Sequence, residues 1–193
     1  MLESPKALAP DYGKAREMLE DTFWYASGMG NQQERPLVTP EFLGGLIVGE
    51  GSYGLYIVRQ RKYITIKPGF ALRMNDLETI DLMCAAFDHY ELPYYVVNKL
   101  ERGCKTVHCN GLKRVKKHLD FMLPHLTGKK LQAAEVVARF TNKRLLVKQP
   151  TPYDEEDVQM IERLREINGP NVNRVPIGIL RDYTRGTAKA VKI

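Results

Sequence analysis

Cysteine is scarce in this 193-residue chain, and its three cysteines do not form spaced pairs. An odd number of cysteines without paired spacing argues against a disulfide framework and indicates a reducing compartment. No apolar run approaches the roughly 18 residues that a membrane span requires, and residues 1–9 lack the pattern of a signal peptide. We therefore predict an intracellular protein, in the cytoplasm, the nucleoid or an organelle, that is neither secreted nor membrane-bound.

Histidine is also rare, and the only grouping that suggests a metal ligand set is Cys104, His108 and Cys109. Structural zinc sites usually take four ligands in recognisable pairs, and the sequence offers no second pair. The surrounding alternation of side chains favours a strand with Cys109 pointing inward and His108 outward. A zinc site at this place is the less favoured interpretation.

Acidic residues are outnumbered, 23 against 29 Lys and Arg, which gives a net charge of +6. Acids concentrate in residues 17–21 and 154–166, whereas residues 59–67, 99–117 and 129–148 are basic. This segregation gives one face a positive potential that suits phosphates, without distinguishing DNA from RNA.

The spacing of apolar residues predicts the order of the elements. Helical spacing predicts an N-terminal helix over residues 12–24 and a second helix that begins at Thr39 and Pro40, residues suited to its N-cap and first turn. Further strands and helices are expected at residues 52–58 (strand), 64–74 (strand), 77–87 (helix with an Asn75–Glu78 capping box), 94–100 (strand), 105–110 (strand), 112–123 (helix ended by Pro124) and from 129 or 130 (helix).

A last helix is predicted where Asp154 to Asp157 load a first turn with the acids that the helix dipole favours. A basic tail follows it. We expect three parts: an N-terminal helical extension (1–38), a central domain (39–148), and a C-terminal helix with the basic tail (149–193).

Residues 43–51 read LGGLIVGEG, an apolar helix rich in glycine that ends on one acid. Gly44 and Gly45 each cost about 1 kcal/mol of helix propensity relative to Ala, which close contact with another helix would offset. Glu50 is expected at the helix C-terminus, where the dipole disfavours a negative charge and a bound cation would relieve the strain. The alternative is a buried helix with a glycine C-cap and a solvated Glu50.

This string, within the order helix, two strands, helix, two strands, helix, resembles the signature of the LAGLIDADG homing endonucleases. The resemblance implies an α+β fold, an αββαββα core with a saddle-shaped antiparallel sheet, plus N- and C-terminal helical extensions. It also implies that two signature helices pack about a two-fold axis. Because the chain has one credible signature, we expect a homodimer whose interface contains Phe42, Gly44, Gly45, Ile47 and Val48.

The same resemblance implies a metal site and a catalytic set. Glu50 and Gly49 would hold Mg²⁺, with Mn²⁺ or Ca²⁺ able to substitute in binding. The family's basic residue is assigned to Lys129, with Lys130 second; the alternative for Lys129 is a solvated lysine that opens a helix. Where the family has a polar residue at the end of the second strand, this chain has Arg73-Met74-Asn75. Either Arg73 or Asn75 substitutes for it, or activity is in doubt.

A curved antiparallel sheet can lie in a major groove and present alternate side chains to base edges. The alternative for each candidate is an ordinary exposed strand residue, and their shared face is the stronger argument. The predicted DNA-binding residues are Tyr56, Gln60, Arg61, Lys67, Arg73, Asn98, Arg102, Lys105, Thr106, His108 and Asn110.

The resemblance therefore favours a site-specific homing endonuclease of the intron-encoded type. It would make metal-dependent double-strand breaks in a long pseudopalindromic DNA site as a homodimer. The alternative is a catalytically weak or inactive protein of this kind that acts as an intron RNA maturase or a DNA-binding regulator. A plain RNA-binding domain is the weakest interpretation, because it should carry stacking aromatic residues on the sheet, and only Tyr56 and Tyr63 are offered.

Overall fold

The structure, a computed structural model, describes residues 38–60, 63–99, 103–147, 152–169, 178 and 180–181. The elements are helix α1 (Pro40–Glu50), strands β1 (Gly51–Gln60) and β2 (Tyr63–Met74), helix α2 (Leu77–His89), strands β3 (Tyr95–Lys99) and β4 (Cys104–Asn110), helix α3 (Leu112–Met122), a 3-10 turn (Leu123–His125), helix α4 (Gly128–Leu146) and helix α5 (Glu155–Asn168). The predicted α+β class and αββαββα order are confirmed. The helix predicted over residues 12–24 lies outside the described residues.

The four strands form one antiparallel sheet in the order β1-β2-β4-β3. Strand β1 pairs with β2 along its whole length, from Gly51 opposite Leu72 to Gln60 opposite Tyr63. The pairing of β2 with β4 is limited to the second half of β2, from Gly69 to Met74. As predicted by the period of two, alternate residues such as Tyr53 and Leu55 are fully buried.

The helices cover one face of the sheet, and the core lies between them. Each helix contributes an apolar stripe at helical spacing, which is the pattern of a helix half-buried on a sheet. The buried helix residues are Leu43 and Ile47 of α1, Ile80, Met83 and Phe87 of α2, Val115, Leu119 and Met122 of α3, Ala133, Ala134, Val137 and Phe140 of α4, and Val158, Ile161 and Leu164 of α5. The opposite face, which we call the open face, carries no described helix.

The ends of the helices follow local side-chain chemistry. The carboxylate of Asp76 accepts hydrogen bonds from the backbone N–H groups of Glu78 and Thr79 at 3.1 and 3.3 Å, so Asp76 is the N-cap of α2. The predicted Asn75–Glu78 capping box is therefore wrong by one residue, because the Asp76 carboxylate accepts hydrogen bonds from two amides of the first turn. At α5, Asp154 and Asp157 form a reciprocal capping box.

The C-terminal helix α5 packs against α4 through charged as well as apolar contacts. Lys143 of α4 contacts Asp154 at 2.6 Å and Asp157 at 3.1 Å, and Arg139 contacts Glu156 at 2.6 Å. These cations lie beside a helix N-terminus that is loaded with acids. Among the described helices, none combines the length and the apolar character that crossing a bilayer would require.

Candidate nucleic-acid interface and cleavage site

Helix α1 begins with an N-cap, in which the hydroxyl of Thr39 accepts a hydrogen bond from the N–H of Phe42 at 3.3 Å. One side of the helix is buried in its own chain. At Gly44, an added Cβ would lie 2.1 Å from the carbonyl oxygen of His125, so only glycine permits this approach between α1 and the 3-10 turn. Ile47 is likewise fully buried in the core. Gly44 and Ile47 are thus unavailable to a second copy, and their predicted place in a dimer interface is wrong.

The other side of α1 is a narrow exposed strip made by Gly45 and Gly49, which lie one helical turn apart. An added Cβ at either glycine would meet no atom within 4 Å. Half-buried Phe42 and Val48 flank the two glycines. We call these four residues the α1 strip; without side chains at its centre, another backbone could approach it closely.

Glu50 is the last residue of α1, and strand β1 starts at the next residue, Gly51. The Glu50 side chain is exposed. The ammonium group of Lys130, at the start of α4, donates a hydrogen bond to the carbonyl oxygen of Gly51. A basic residue from a distant part of the chain therefore lies beside the end of the signature helix.

The two candidate lysines differ in their surroundings. Lys129 is exposed, and successive helix residues point about 100° apart, so the two side chains leave α4 in different directions. Half-buried Lys130 is the one that reaches the junction of α1 and β1. The sequence had favoured Lys129.

Arg73 lies on the open face close to this junction. Gly51 pairs with Leu72, so Glu50 and Arg73 flank the same backbone pair. The Arg73 guanidinium contacts the Cys104 sulfur at 3.2 Å and remains exposed. Met74 is half-buried and packs against the core, so a polar contact at the end of β2 would have to come from Arg73 or Asn75.

The predicted DNA-binding residues do not all share one face. The strand registers put Tyr56 opposite Lys67 and Arg73 opposite Thr106, on the open face together with His108 and Asn110. Lys105 instead pairs with Met74 and contacts Asp81 of α2 at 2.7 Å. Its predicted place on that face is wrong, because adjacent strand residues point to opposite sides.

Four further predicted residues cannot be placed in this way. The side chains of Gln60 and Asn98 are outside the described part of the structure, and so are residues Arg61 and Arg102 altogether.

The open face also presents an aromatic residue that the sequence analysis missed. The Tyr95 ring stacks on His108, with centroids 5.3 Å apart and planes 20° apart. The side-chain amide of Asn110 donates a hydrogen bond to the Tyr95 hydroxyl. The sequence analysis assigned Asn98 of the same strand to this face, and alternation then excludes Tyr95, which is three residues away.

At the centre of the open face, the ring of Tyr56 lies over Gly69. An added Cβ at Gly69 would be 2.6 Å from a ring carbon of Tyr56 and 2.3 Å from Oδ1 of Asn110. Burial raises the pKa of the Tyr56 phenol above its usual range, because a charged phenolate would be poorly solvated there.

In the ranges that the structure describes, no group of three or more His, Cys, Asp or Glu side chains could hold an ion. Cys104 and Cys109 are buried thiols, and burial raises the pKa of Cys109 to about 11. His108 and Cys109 are adjacent strand residues and point to opposite sides of the sheet, which does not suit a shared zinc ion. Among the described residues, Glu50 is the carboxylate at the α1–β1 junction to which a metal could bind.

Comparison with known proteins identifies the fold. No protein-family model and no curated protein matches this sequence. Among solved structures, the homing endonuclease I-CvuI in complex with its target is 14% identical, with a TM-score of 0.63 over 77% of this chain and 93% of that chain. The archaeal intron-encoded homing endonuclease I-Vdi141I, complexed with DNA, is 13% identical, with a TM-score of 0.63 over 77% of this chain and 95% of that chain.

A third match is longer than this chain. The LAGLIDADG homing endonuclease I-GzeII, in complex with a DNA target, is 13% identical, with a TM-score of 0.56 over 76% of this chain and 49% of that chain. These likenesses agree with the sheet order, the helices on one face and the glycine-rich helix that ends at Glu50. The protein has the fold of the LAGLIDADG homing endonucleases.

Proposed function

We propose that the protein is a site-specific DNA endonuclease of the intron-encoded homing type, which cuts both strands of a long pseudopalindromic site as a metal-dependent homodimer. The observation that carries this proposal is the hydrogen bond from Lys130 to the Gly51 carbonyl, which places a cation next to Glu50 at the edge of an open sheet face that bears exposed cations. I-CvuI and I-Vdi141I, which have the same fold, were solved with DNA.

The residues at the end of α1 fit a divalent metal ion. A carboxylate and a backbone carbonyl, from Glu50 and Gly49, are hard oxygen donors of the kind that Mg²⁺ takes. With one carboxylate, most coordination positions of the metal ion would be filled by phosphate oxygens, waters and the second copy of the chain. A cation bound there would offset negative charge on the phosphate and lower the pKa of a water. I-CvuI structures were obtained with Ca or Mg present, which supports this choice of ion.

The two cations near Glu50 have separate roles in the proposed reaction. Lys130 is fixed by its bond to the Gly51 carbonyl, so its ammonium group can hold a phosphate oxygen or orient the attacking water. Arg73, on the open face, can bind the neighbouring phosphate through its planar guanidinium. Exposed Lys129 is left to screen the DNA backbone.

The α1 strip is the proposed dimer contact. Two strips packed together would bring the two Glu50 carboxylates side by side, one for each DNA strand. The match covers 93% of I-CvuI but only 49% of I-GzeII. These shares agree with a chain that forms one half of the cleavage site and needs a second copy.

The open face is the proposed DNA contact. Strand β2 has 12 residues, so at about 3.4 Å each it extends for roughly 40 Å, the length of about 12 base pairs. A dimer would accordingly read about 24 base pairs. Exposed Lys67 and Arg73 supply positive charge along this length.

The test is cleavage of a plasmid that carries the uninterrupted insertion locus, with and without Mg²⁺. We expect linear product only with the metal. Glu50→Gln should retain DNA binding and lose cleavage, and Lys130→Met should slow cleavage by about 10²-fold or more.

The matched control is Lys129→Met, which changes the same residue type one position away and should have a small effect. Unimpaired cleavage by Glu50→Gln would refute the proposed site. Equal losses from the two lysine variants would refute the role of Lys130.

A second candidate function is supported by the stack of Tyr95 on His108, since unpaired bases stack on exposed aromatic rings. In this alternative the protein binds intron RNA as a maturase, or DNA as a regulator, with little or no cleavage. Binding of intron RNA by a protein that leaves the plasmid intact would favour it.

A further inference from the structure

We propose that Tyr95 is a specificity residue of the DNA interface, whose hydroxyl donates a hydrogen bond to the acceptor-rich major-groove edge of guanine. Asn110, predicted from the sequence to contact bases, is by this inference a positioning residue that orients Tyr95. The inference rests on the proposed function, because it assumes that the open face meets double-stranded DNA.

The Tyr95 ring is held in place before any ligand arrives. It stands at the start of edge strand β3, opposite His108 in the register, and stacks on the His108 ring at 5.3 Å. Tyr95 is nevertheless 42% exposed, on the open face. An aromatic ring that is fixed and still accessible can contact a base with little loss of conformational entropy.

The direction of the Asn110 hydrogen bond determines what Tyr95 can offer. The amide nitrogen of Asn110 donates to the Tyr95 oxygen, so the phenolic proton is not used in this contact and can point away from the sheet. A proton donor recognises acceptors, and guanine presents two of them, N7 and O6, side by side in the major groove. Cytosine presents a donor there, which the phenolic proton cannot match.

Asn110 itself is poorly placed to contact a base. Adenine recognition by Asn uses both the amide oxygen and the amide nitrogen. Here the nitrogen is bonded to Tyr95, and the oxygen is buried without a hydrogen-bond partner among the described residues. Because the oxygen is buried, the side chain cannot make the paired oxygen and nitrogen contact that adenine recognition requires.

Close packing on Gly69 fixes the orientation of the amide. The missing side chain at Gly69 leaves room for the Asn110 oxygen and the Tyr56 ring, each less than 3 Å from where a Cβ would stand. The oxygen is thus covered toward β1, and the nitrogen faces Tyr95 on β3. Tyr56, Gly69, Asn110 and Tyr95, one on each strand, thus form one packed arrangement.

The test selects preferred sites from double-stranded DNA randomised over about 24 base pairs, the length that two open faces span. The wild-type protein is compared with Tyr95→Phe, which keeps the ring and the stack but removes the donor. It is also compared with Asn110→Asp, whose carboxylate accepts the Tyr95 proton and turns it inward. Circular dichroism and thermal unfolding verify that both variants are folded.

We expect both variants to lose a guanine preference of about 3- to 10-fold, the range for one hydrogen bond, at the same two symmetry-related positions. Preferences elsewhere should persist, which a general loss of structure would not allow. The control Lys67→Ala should weaken binding to all sequences alike and reduce the salt dependence.

The other possible results would overturn the role of Tyr95, the role of Asn110 or site-specific recognition. If the wild-type protein selects sites and Tyr95→Phe selects the same sites with the same preferences, the inference fails while the proposed function stands. If Asn110→Asp keeps the guanine preference that Tyr95→Phe loses, the positioning role of Asn110 fails. If the wild-type protein selects no sequence, both the inference and site-specific recognition fail.

Discussion

At the scale of single residues, Gly44 and Gly45 are neighbours with opposite requirements. Gly44→Ala would force a methyl group onto the His125 carbonyl, so we expect a loss of stability of about 1–3 kcal/mol. Gly45→Ala meets open space within the chain and should stabilise the protomer by up to about 1 kcal/mol through helix propensity.

Urea unfolding of both variants, at a concentration where gel filtration finds monomers, measures the difference. Similar free energies of unfolding for the two would contradict the assigned contact between α1 and the 3-10 turn.

The sequence predicted some site residues and left others undecided, for a geometric reason. Glu50 follows from one local pattern, an apolar helix that ends in glycine and acid. The choice between Lys129 and Lys130 depends on where α4 begins, and a shift of one residue rotates a side chain by about 100°. Gly44 was misassigned because its partner, His125, is distant in the sequence.

At the scale of elements, His118 is where α3 meets the sheet. Its ring is fully buried, lies 4.6 Å from that of Phe70 and 5.3 Å from that of Phe87, and its Nδ1 is 3.3 Å from the Tyr53 hydroxyl. Burial lowers the pKa of His118 from 6.5 to about 3. Since the unfolded chain binds the proton more readily, the stability due to neutral His118 is complete above pH 6.5 and is lost as the pH falls toward 3.

The contribution of His118 to the pH dependence should approach a slope of about 1.4 kcal/mol per pH unit within this window. Urea unfolding between pH 4 and 7 measures the free energy of unfolding of the wild-type protein and of His118→Leu. All other titratable groups are common to the two proteins, so the difference between them isolates His118. Identical slopes would contradict a neutral, buried imidazole.

The elements themselves could be predicted well from their periods, whereas their registers could not. Alternation of two places Tyr53 and Leu55 inside, and a helical stripe places Val115 and Leu119 there as well. The sequence does not say which residue of β4 faces which residue of β2. For that reason Lys105 was grouped with Thr106, although it pairs with Met74 and binds Asp81 of α2.

At the scale of the whole molecule, the α1 strip predicts how two copies associate. Gly45→Leu should weaken the dimer by at least about 10-fold, because one well-packed interface side chain commonly contributes more than 1.4 kcal/mol. Cleavage should fall with it, while the fold of the protomer remains, since an added Cβ at Gly45 meets no atom within 4 Å.

Analytical ultracentrifugation measures this dissociation constant. Ala85→Leu, on the exposed side of α2, adds the same bulk elsewhere and serves as the control. An unchanged dimer in Gly45→Leu, or equal weakening in both variants, would refute the strip as the contact.

No loop separates α1 from β1: the helix ends at Glu50 and the strand starts at Gly51. In the proposed complex, α1 joins the two subunits and β1 lies along the DNA. The two elements are directly connected, and the Glu50 carboxylate lies at their junction. A poorly matched duplex that tilts the strand would also displace the acid from the scissile phosphate. Fidelity could then be enforced mechanically, at the cutting step, as well as through affinity.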